Sequence, residues 1–359
     1  MEPKITDITE ESGVLKFTLY GINVSLANAL RRTILSDIDT FVFYTETYND
    51  NKCNIQINTT RFHNEIVKQR LSCIPIHCNI KYLMELDVKN DTDNIMYVTT
   101  EHFKLKTENG YLPQDEVKRI FPPNEITGDY IDFLRLRPKI SDSIPGEHIK
   151  LSCPFSISNA KQNSMFNVVS KCTYANTPDH DRIKTAIDEN DLSGTKEEIV
   201  FQKRNFLLLD AQRIYIDDSF DFQIQSIGVY SNQEIVRKGC EVLFSTLKEL
   251  IELIDSDTIP IINSEASKEY SSIDNSYDIV IEYDYTIGKI IEYILHQKYF
   301  IEEKTLTYCG FKKYHPHNTE SIIRIAFSKP VEKHTVSEYI KTAAILGQEI
   351  FQKIYKLFK

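Results

Sequence analysis

The chain of 359 residues has a formal net charge of −10 and a hydrophobic content of 41%. This length can bury two or three cores, and the acidity argues against nucleic acid as the principal partner, because phosphate backbones are bound by basic surfaces. No apolar run is long enough to cross a bilayer, and the acidic start MEPKITDITEESG is not expected to act as a signal peptide, so we expect no membrane contact.

The residue types that usually mark chemistry are sparse. Seven cysteines without C-x-x-C spacing favour buried thiols in a reducing intracellular compartment over a disulfide framework or a zinc site. Only 11 glycines are present, and the motifs G-x-x-x-x-G-K-[ST], G-x-G-x-x-G and G-x-S-x-G are missing. The sequence therefore lacks the common phosphate-binding and nucleophile motifs.

The first strong helix prediction covers residues 25–37 and follows the strand-like segment VLKFTLYGI. Ser25 is the expected N-cap. Arg31 lies at the edge of the apolar arc and Arg32 on the polar side. The apolar arc consists of Leu26, Ala27, Leu30, Ile34 and Ile38.

The middle of the chain has a different character. Residues 61–199 hold strand-like pieces separated by proline-containing turns, which indicates a mainly β insert. Within it, the charged residues 176–198 predict a loop with one short helix.

Two later helices, predicted at 233–254 and 335–358, carry heptad-like apolar seams with spacings of four and three residues. Such seams pack along another helix at a shallow angle, and Gly347 would let a partner backbone approach closely. The seam positions are Val236, Cys240, Leu243, Leu247, Leu250 and Ile254 in the former and Val336, Ile340, Ala343, Gly347, Ile350, Ile354 and Leu357 in the latter.

The same succession of elements occurs at both ends of the chain. Near the C-terminal end, SYDIVIEY predicts a strand, residues 286–298 an amphipathic helix, and TLTYCGF and SIIRIAF two further strands before the last seam helix. The sequence therefore predicts two α+β units, joined by the polar, serine-containing segment 256–275.

Several of these segments resemble one family. Residues 24–39, VSLANALRRTILSDID, are similar to the signature helix of the alpha-like subunits of multisubunit DNA-directed RNA polymerases. Residues 58–76, NTTRFHNEIVKQRLSCIPI, resemble that family's Asn-Thr strand end and D/E-x-x-x-x-R-L-x-x-I-P helix. Residues 220–250 are similar to the strand and C-terminal helix of the third-largest subunit, and residues 159–178 more loosely resemble part of its insert.

The C-terminal unit resembles the smaller alpha-like partner, the eleventh subunit. DYTIGKIIEYIL (284–295) is similar to its D-H-T-L-G-N-L-L motif, with Tyr285 for His and Lys289 for Asn. CGFKKYHPHNTESIIRIAF (309–327) is similar to its G-Y-x-x-x-H-P segment. The presence of both partners in one chain resembles the fused alpha-like subunit of large cytoplasmic DNA viruses of the African swine fever virus type.

This resemblance implies an α+β fold with two alpha-like dimerisation modules that form an intramolecular pseudo-dimer. We expect the first module at 1–60 and 200–255, interrupted by the insert domain at 61–199. We expect a linker at 256–275 and the second module at 276–359.

The implied function is that of a non-catalytic assembly platform in a DNA-directed RNA polymerase. Its expected partners are the largest, second-largest and small polymerase subunits, without direct specific nucleic-acid contact, in the virion and the host cytoplasm. The resemblance places catalysis and Mg in another subunit, so no catalytic residue and no cofactor is expected in this chain. Without paired cysteines in the insert, we also expect no metal ion there.

Two groups of site residues follow from the resemblance. The residues expected to bind a large partner subunit are Asn28, Arg31, Arg32, His63, Glu65 and Arg70. The residues expected at the pairing interface are Leu26, Leu30, Ile34, Leu243, Leu247, Leu250, Ile287, Ile291, Ile340, Gly347, Ile350 and Ile354.

Alternatives stay open for the charged positions and for the function. Arg31 and Arg32 could form ion pairs within the chain, with Asp37, Asp39 or Glu65, and such exposed pairs contribute at most about 1 kcal/mol each. The segment from His63 to Arg70 could be only a helix start with intrahelical ion pairs. The alternative functions are a stand-alone dimerising adaptor or transcription regulator on the same fold, and an enzyme of unknown chemistry in the insert.

Overall fold

The computed structural model describes residues 2–108, 110–141, 143–189, 194–263 and 273–358. The chain is an α+β protein with antiparallel sheets, and its described residues divide into two compact units. The first unit comes from Met1–Leu35, Val169–Gln225 and Asn232–Lys359, and the second from Ser36–Val168 and Ser226–Ser231.

The regular elements are numbered in chain order. The strands are β1 (Lys4–Glu11), β2 (Val14–Tyr20), β3 (Thr40–Phe43), β4 (Asn54–Asn58), β5 (Leu83–Lys89), β6 (Met96–Thr99), β7 (Lys104–Thr107), β8 (Gly110–Tyr111), β9 (Asp132–Leu136), β10 (His148–Ser158), β11 (Val169–Pro178), β12 (Tyr215–Ser226), β13 (Ile261–Asn263), β14 (Ser276–Ile281), β15 (Leu306–Lys312) and β16 (Ser321–Phe327). The helices are α1 (Val24–Ser36), α2 (Asn64–Ser72), α3 (Gln114–Ile120), α4 (His180–Glu189), α5 (Lys196–Leu208), α6 (Asn232–Asp255), α7 (Tyr285–Leu295) and α8 (Lys333–Leu357).

The first unit contains two four-stranded sheets. One has the strand order β1-β2-β12-β11, and the other has the order β13-β14-β16-β15. In the first sheet, β2 and β12 alternate between buried and more exposed residues, so one face is apolar. On that face the rings of Phe17 and Phe222 are stacked with centroids 5.2 Å apart, and Phe358, just after α8, packs edge-on against Phe17.

Among the helices of the first unit, four bury an apolar face of several residues: α1, α6, α7 and α8. The predictions for all four are confirmed to within a few residues, because their apolar spacings match the helical period. The predicted N-cap of α1 is wrong: the Asn23 side chain, not that of Ser25, accepts a hydrogen bond from the second residue of the helix, 2.9 Å from the Ser25 nitrogen. The predicted helix 286–298 is α7 followed by a π-helical segment, His296–Glu302.

The second unit is built around β10, which pairs with three strands. Its larger sheet has the order β3-β10-β5-β7-β8, and β4 also pairs with β10. A separate pair is formed by β6 and β9, and α2 and α3 lie against this framework. Its core is rich in phenylalanine, and the members include Phe43, Phe103, Phe121, Phe133 and Phe155.

Two predictions about connecting segments are corrected by the structure. The charged segment 176–198 was expected to hold one short helix, and α4 lies within it; a second helix, α5, which the sequence did not predict, begins at Lys196 and runs beyond the segment. Residues 190–193 of that prediction lie outside the described residues. The segment 256–275 was expected to be a linker, but its residues Ile261–Asn263 form β13, which pairs with β14; residues 264–272 of that prediction lie outside the described residues. Among the described helices, none is long and apolar enough to span a membrane.

Candidate functional site

The seam between the two long helices of the first unit holds most of the residues that were predicted at the pairing interface. The Arg237 guanidinium donates to the Tyr355 hydroxyl (2.6 Å), and the Lys341 ammonium donates to the Asp255 carboxylate (2.6 Å). Because a position early in α6 meets one late in α8 and the reverse, the two helices are antiparallel. All twelve residues predicted at the pairing interface are buried in this unit.

Gly347 lies at a position in this seam where neighbouring side chains leave little space for a Cβ atom. A Cβ atom built there would lie 3.2 Å from Leu247 Cδ1 on α6, 3.2 Å from Ile290 Cγ2 and 3.3 Å from Ile294 Cδ1, both on α7. Three helices therefore meet at this glycine, and a larger side chain would separate them.

Sequence reasoning missed a second glycine contact. A Cβ atom at Gly239 of α6 would lie 2.8 Å from Ile34 Cγ1 and 3.4 Å from Leu30 Cδ1 on α1. Gly239 directly precedes the seam residue Cys240, and an interior glycine in a strongly amphipathic helix was the available signal for close packing.

The arginine pair of α1 is engaged within the chain. Arg31 donates from Nε (3.1 Å) and Nη2 (2.9 Å) to the Asn28 side-chain oxygen. Arg32 Nη2 donates to Asp284 Oδ2 at 2.8 Å, with the two side chains 37% and 40% exposed. The predicted alternative of an intrachain ion pair therefore applies to Arg32, but its partner is Asp284, just before α7, and not one of the three carboxylates named from the sequence.

Asp284 is held in its charged form by several groups. Burial alone would raise the pKa of its carboxyl, but the Tyr285 backbone N–H and the charges of Arg32 and Lys313 outweigh burial and lower the pKa below 3.8. The Lys313 ammonium lies 3.5 Å from Asp284 Oδ1. This carboxylate links α1, α7 and the segment after β15 by charge.

The other three predicted partner-binding residues lie in the second unit, on α2 and just before it. His63 and Glu65 are exposed. Arg70 is also exposed, yet its Nε donates to the Phe133 carbonyl (2.6 Å) and its Nη2 to the Asp132 carbonyl (2.8 Å). Arg70 therefore donates to β9 rather than to Glu65, because the β9 backbone offers two acceptors in fork geometry.

Arg70 borders a cleft of about 350 Å³ that the sequence did not suggest. The cleft is lined by Arg61, Phe62, Arg70, Asp132, Phe133, Leu134 and Arg135. Arg135 lies 3.2 Å from Asp132 Oδ2, and its guanidinium lies 4.9 Å from the centre of the Tyr97 ring. The signal for the cleft was the N-T-T-R-F sequence, which places an arginine and a phenylalanine in the turn after a strand.

The cysteines and the acidic groups form no metal centre in the part of the chain that the structure describes. All seven cysteines are free thiols. Burial raises the pKa of the Cys240 thiol, and it raises that of Cys172 to about 12 against the opposing charge of Arg31. Such thiols are poor nucleophiles and poor metal ligands at neutral pH.

Comparison with known proteins identifies relatives over most of the chain. Residues 16–247 match the family model described as RNA polymerase Rpb3/Rpb11 dimerisation domain, and the match ends before the second predicted module. The chain is 22% identical to a conjugation stage-specific protein of Tetrahymena thermophila, over 70% of this chain and 93% of the relative. It is 20% identical to DNA-directed RNA polymerase subunit Rpo3 of Archaeoglobus fulgidus, over 71% of this chain and 99% of the relative. It is 22% identical to human DNA-directed RNA polymerases I and III subunit RPAC1, over 67% of this chain and 82% of the relative.

Proposed function

Because the chain belongs to the RNA polymerase Rpb3/Rpb11 dimerisation-domain family, we propose that it is a non-catalytic assembly subunit of a DNA-directed RNA polymerase. Relatives named as polymerase subunits Rpo3 and RPAC1 support this proposal. The observation that carries it is the family match over more than half of the chain, together with a second set of elements that repeats the topology of the first.

The repeated topology supports two alpha-like modules in one chain. The first set is β1, β2, α1, β11, β12 and α6, with the sheet order β1-β2-β12-β11. The second set is β13, β14, α7, β15, β16 and α8, with the sheet order β13-β14-β16-β15. Corresponding elements follow each other in the same order, although the family match does not extend to the second set.

The proposed pairing of these modules is an intramolecular pseudo-dimer through α6 and α8. The six seam positions of α6 have the same spacing as the first six of α8. The equivalent residues Leu247 and Gly347 lie against each other in the antiparallel pair, since a Cβ atom at Gly347 would be 3.2 Å from Leu247 Cδ1. Equivalent positions meet in this way at the two-fold axis of an isologous interface. We propose the first module at 1–60 and 200–255 and the second at 276–359, with an insert domain at 61–199. The two sheets extend these bounds, because β11 pairs with β12 of the first module and β13 pairs with β14 of the second.

We propose that the paired modules provide the surface on which the largest and second-largest polymerase subunits assemble, with small subunits added. His63 and Glu65 are exposed and are assigned to partner contact, as are Asn28 and Arg31. Arg32 and Arg70 are assigned to partner contact and also to contacts within the chain, because Arg32 donates to Asp284 and Arg70 donates to the β9 backbone.

The remaining features of the proposal follow the resemblance seen in the sequence. The chain is a fused subunit of the African swine fever virus type, present in the virion and the host cytoplasm. It holds no cofactor or metal ion, and the Mg of the polymerase is bound by another subunit.

The test is purification of the tagged chain from the cells or virions that contain it, with quantitative mass spectrometry of the bound proteins. We expect the two largest polymerase subunits in equal amounts with the chain. A stand-alone adaptor or regulator would not bring them down, and their absence would refute the proposal. Purified chain that elongates RNA by itself would refute the non-catalytic assignment.

A variant pair tests the pairing of the modules. Ile350→Asp with Ile354→Asp places two carboxylates in the buried seam, where an unpaired charge costs several kcal/mol, so we expect aggregation and loss of the large subunits. Ile345→Asp, on the same helix but 37% exposed, is the matched control and should assemble normally. An unchanged melting transition in the double variant would argue against a buried seam.

A further inference from the structure

The loop that carries Arg61 and Phe62 is held by hydrogen bonds of Asn58 and Thr59. Asn58 Nδ2 donates to the Phe62 carbonyl (2.9 Å), and Asn58 Oδ1 accepts from the Thr60 backbone N–H (3.0 Å) and from the Thr60 hydroxyl (2.7 Å). Thr59 exchanges hydrogen bonds with the His148 backbone, since its N–H donates to the carbonyl and its hydroxyl accepts from the N–H. A loop fixed in this way loses little conformational entropy when it binds a partner.

Arg61 differs from the other two arginines of the cleft. It is exposed and has no hydrogen bond or ion pair with any residue that the structure describes. Arg70 is used by the β9 carbonyls, and Arg135 is used by Asp132. The guanidinium of Arg61, without a partner among the described residues, therefore stands on a hydrogen-bonded loop beside Phe62, which is 43% exposed.

The charges of the cleft specify the chemistry of what it can bind. Three arginines and one aspartate leave an excess of two positive charges, on a chain whose net charge is −10. A guanidinium binds a carboxylate through two parallel hydrogen bonds, and arginine next to an aromatic side chain is the combination enriched at protein interfaces.

The net charge of the chain favours a short acidic peptide over a nucleic acid as the occupant. A phosphate could also accept from the Arg61 guanidinium, but a polyanionic backbone would meet the repulsion of a chain whose net charge is −10. An acidic peptide segment brings a single carboxylate to Arg61 and few further negative charges.

We infer that the cleft between the 58–62 loop and β9 binds an acidic peptide segment of a large polymerase subunit, with the Arg61 guanidinium as the contact for its carboxylate. This inference rests on the proposed function and adds to it the chemistry of the contact and a residue that the sequence did not select. Phe62 supplies the apolar contact beside it, and Arg70 is a positioning residue that holds α2 against β9.

The test converts the charge contact into a covalent bond. Arg61→Lys keeps the positive charge and supplies an amine, which a water-soluble carbodiimide joins as an amide only to a carboxylate in direct contact. The tagged full-length variant is purified with its polymerase, treated with carbodiimide, digested and analysed by mass spectrometry. We expect a cross-link from position 61 to an Asp or Glu of one of the two largest subunits.

Arg119→Lys is the matched control, because Arg119 is also an exposed arginine of the second unit but lies outside the cleft. It should give no such cross-link, and neither should the wild-type chain. Arg61→Glu should lower the recovery of that subunit by about tenfold, since a hydrogen-bonded charge contact is lost, whereas Arg119→Glu should not. Arg61 has no described partner within the chain, so the variant should fold normally.

The possible failures can be told apart. If the wild-type chain purifies without large subunits, the proposed function fails and this inference with it. If the complex forms but position 61 cross-links only to carboxylates of its own chain, or not at all, the inference is overturned while the proposed function stands. If Arg61→Glu instead weakens binding to a short fluorescent DNA duplex and leaves subunit recovery unchanged, the cleft is a nucleic-acid contact and the inference is likewise overturned.

Discussion

Replacing Gly347 with valine should force apart the three helices that meet there, and the effect should depend on Leu247. The added Cβ would lie 3.2 to 3.3 Å from three side-chain atoms, closer than the roughly 3.5–4.0 Å at which carbon atoms attract best. The two γ carbons of valine would extend further into the same space.

The magnitude follows from opposing terms. Overpacking of a dense core costs about 1–3 kcal/mol. Replacing a helix-interior glycine with valine returns only a few tenths of a kcal/mol in helix propensity. We therefore expect Gly347→Val to destabilise the α6–α8 pair by about 1–2 kcal/mol.

Leu247→Ala removes the Cδ1 atom nearest to that added side chain. By itself it should cost about 2–5 kcal/mol, because it leaves a cavity in the seam. In the double variant the valine enters that space, so the loss should be smaller than the sum of the single losses by at least about 0.5 kcal/mol.

Hydrogen–deuterium exchange with mass spectrometry measures this effect locally. Peptides from α6 and α8 report the opening of the seam, and peptides from β10 in the second unit provide an internal control. Leu250→Ala is the matched substitution, since Leu250 is equally buried on α6 but is not among the atoms nearest to Gly347. Equal coupling of Gly347→Val to both leucine variants, or no coupling to either, would refute the proposed geometry.

Three further predictions concern charge, thiols and the loop. Asp284→Asn should lower the free energy of unfolding by about 0.2–1 kcal/mol, as expected for a half-exposed pair with Arg32. Because folding lowers the pKa of this carboxyl, acid-denaturation curves should show the difference from wild type above pH 3.8 and its loss as the pH falls below that value. At mildly alkaline pH, Ellman's reagent should react fastest with the exposed Cys73, whereas Cys240 should react only on unfolding, because burial raises the pKa of the Cys240 thiol. Cys73→Ser should remove the fastest phase of the reaction, and persistence of that phase would contradict the assignment. Asn58→Ala should speed amide exchange in the loop after β4 by a factor equivalent to about 1 kcal/mol per lost hydrogen bond, while exchange in α8 peptides should stay unchanged. Unchanged exchange in the loop would show that other contacts hold it.

Periodicity in the sequence was sufficient for the long elements. The spacings of four and three residues that include Leu243 and Ile350 predicted α6 and α8, because a buried stripe on a helix requires apolar residues at that period and no knowledge of the partner. Alternation in β2 and β12 likewise predicted half-buried strands. The motifs around these elements were enough to indicate the family that the comparisons then identified.

Helix ends and connecting segments were less predictable. Ser25 and Asn23 are both good capping residues, and only the backbone path after β2 selects Asn23. The helix α5 was missed because all of its side chains are at least partly exposed, so its sequence has no clear core-facing stripe. Local composition does not reveal β13, which exists through its pairing with β14.

The sequence by itself determined the long helices and the strands around them, the apolar seams and the family, since each depends on residues that are neighbours along the chain. Tertiary structure alone decided which charges meet: Arg32 pairs with a carboxylate 252 positions away, Arg70 with the β9 backbone, and Arg61 with no described residue. The physical reason is that an arginine can bond any acceptor within reach of its side chain, and folding, not sequence distance, brings acceptors within that reach.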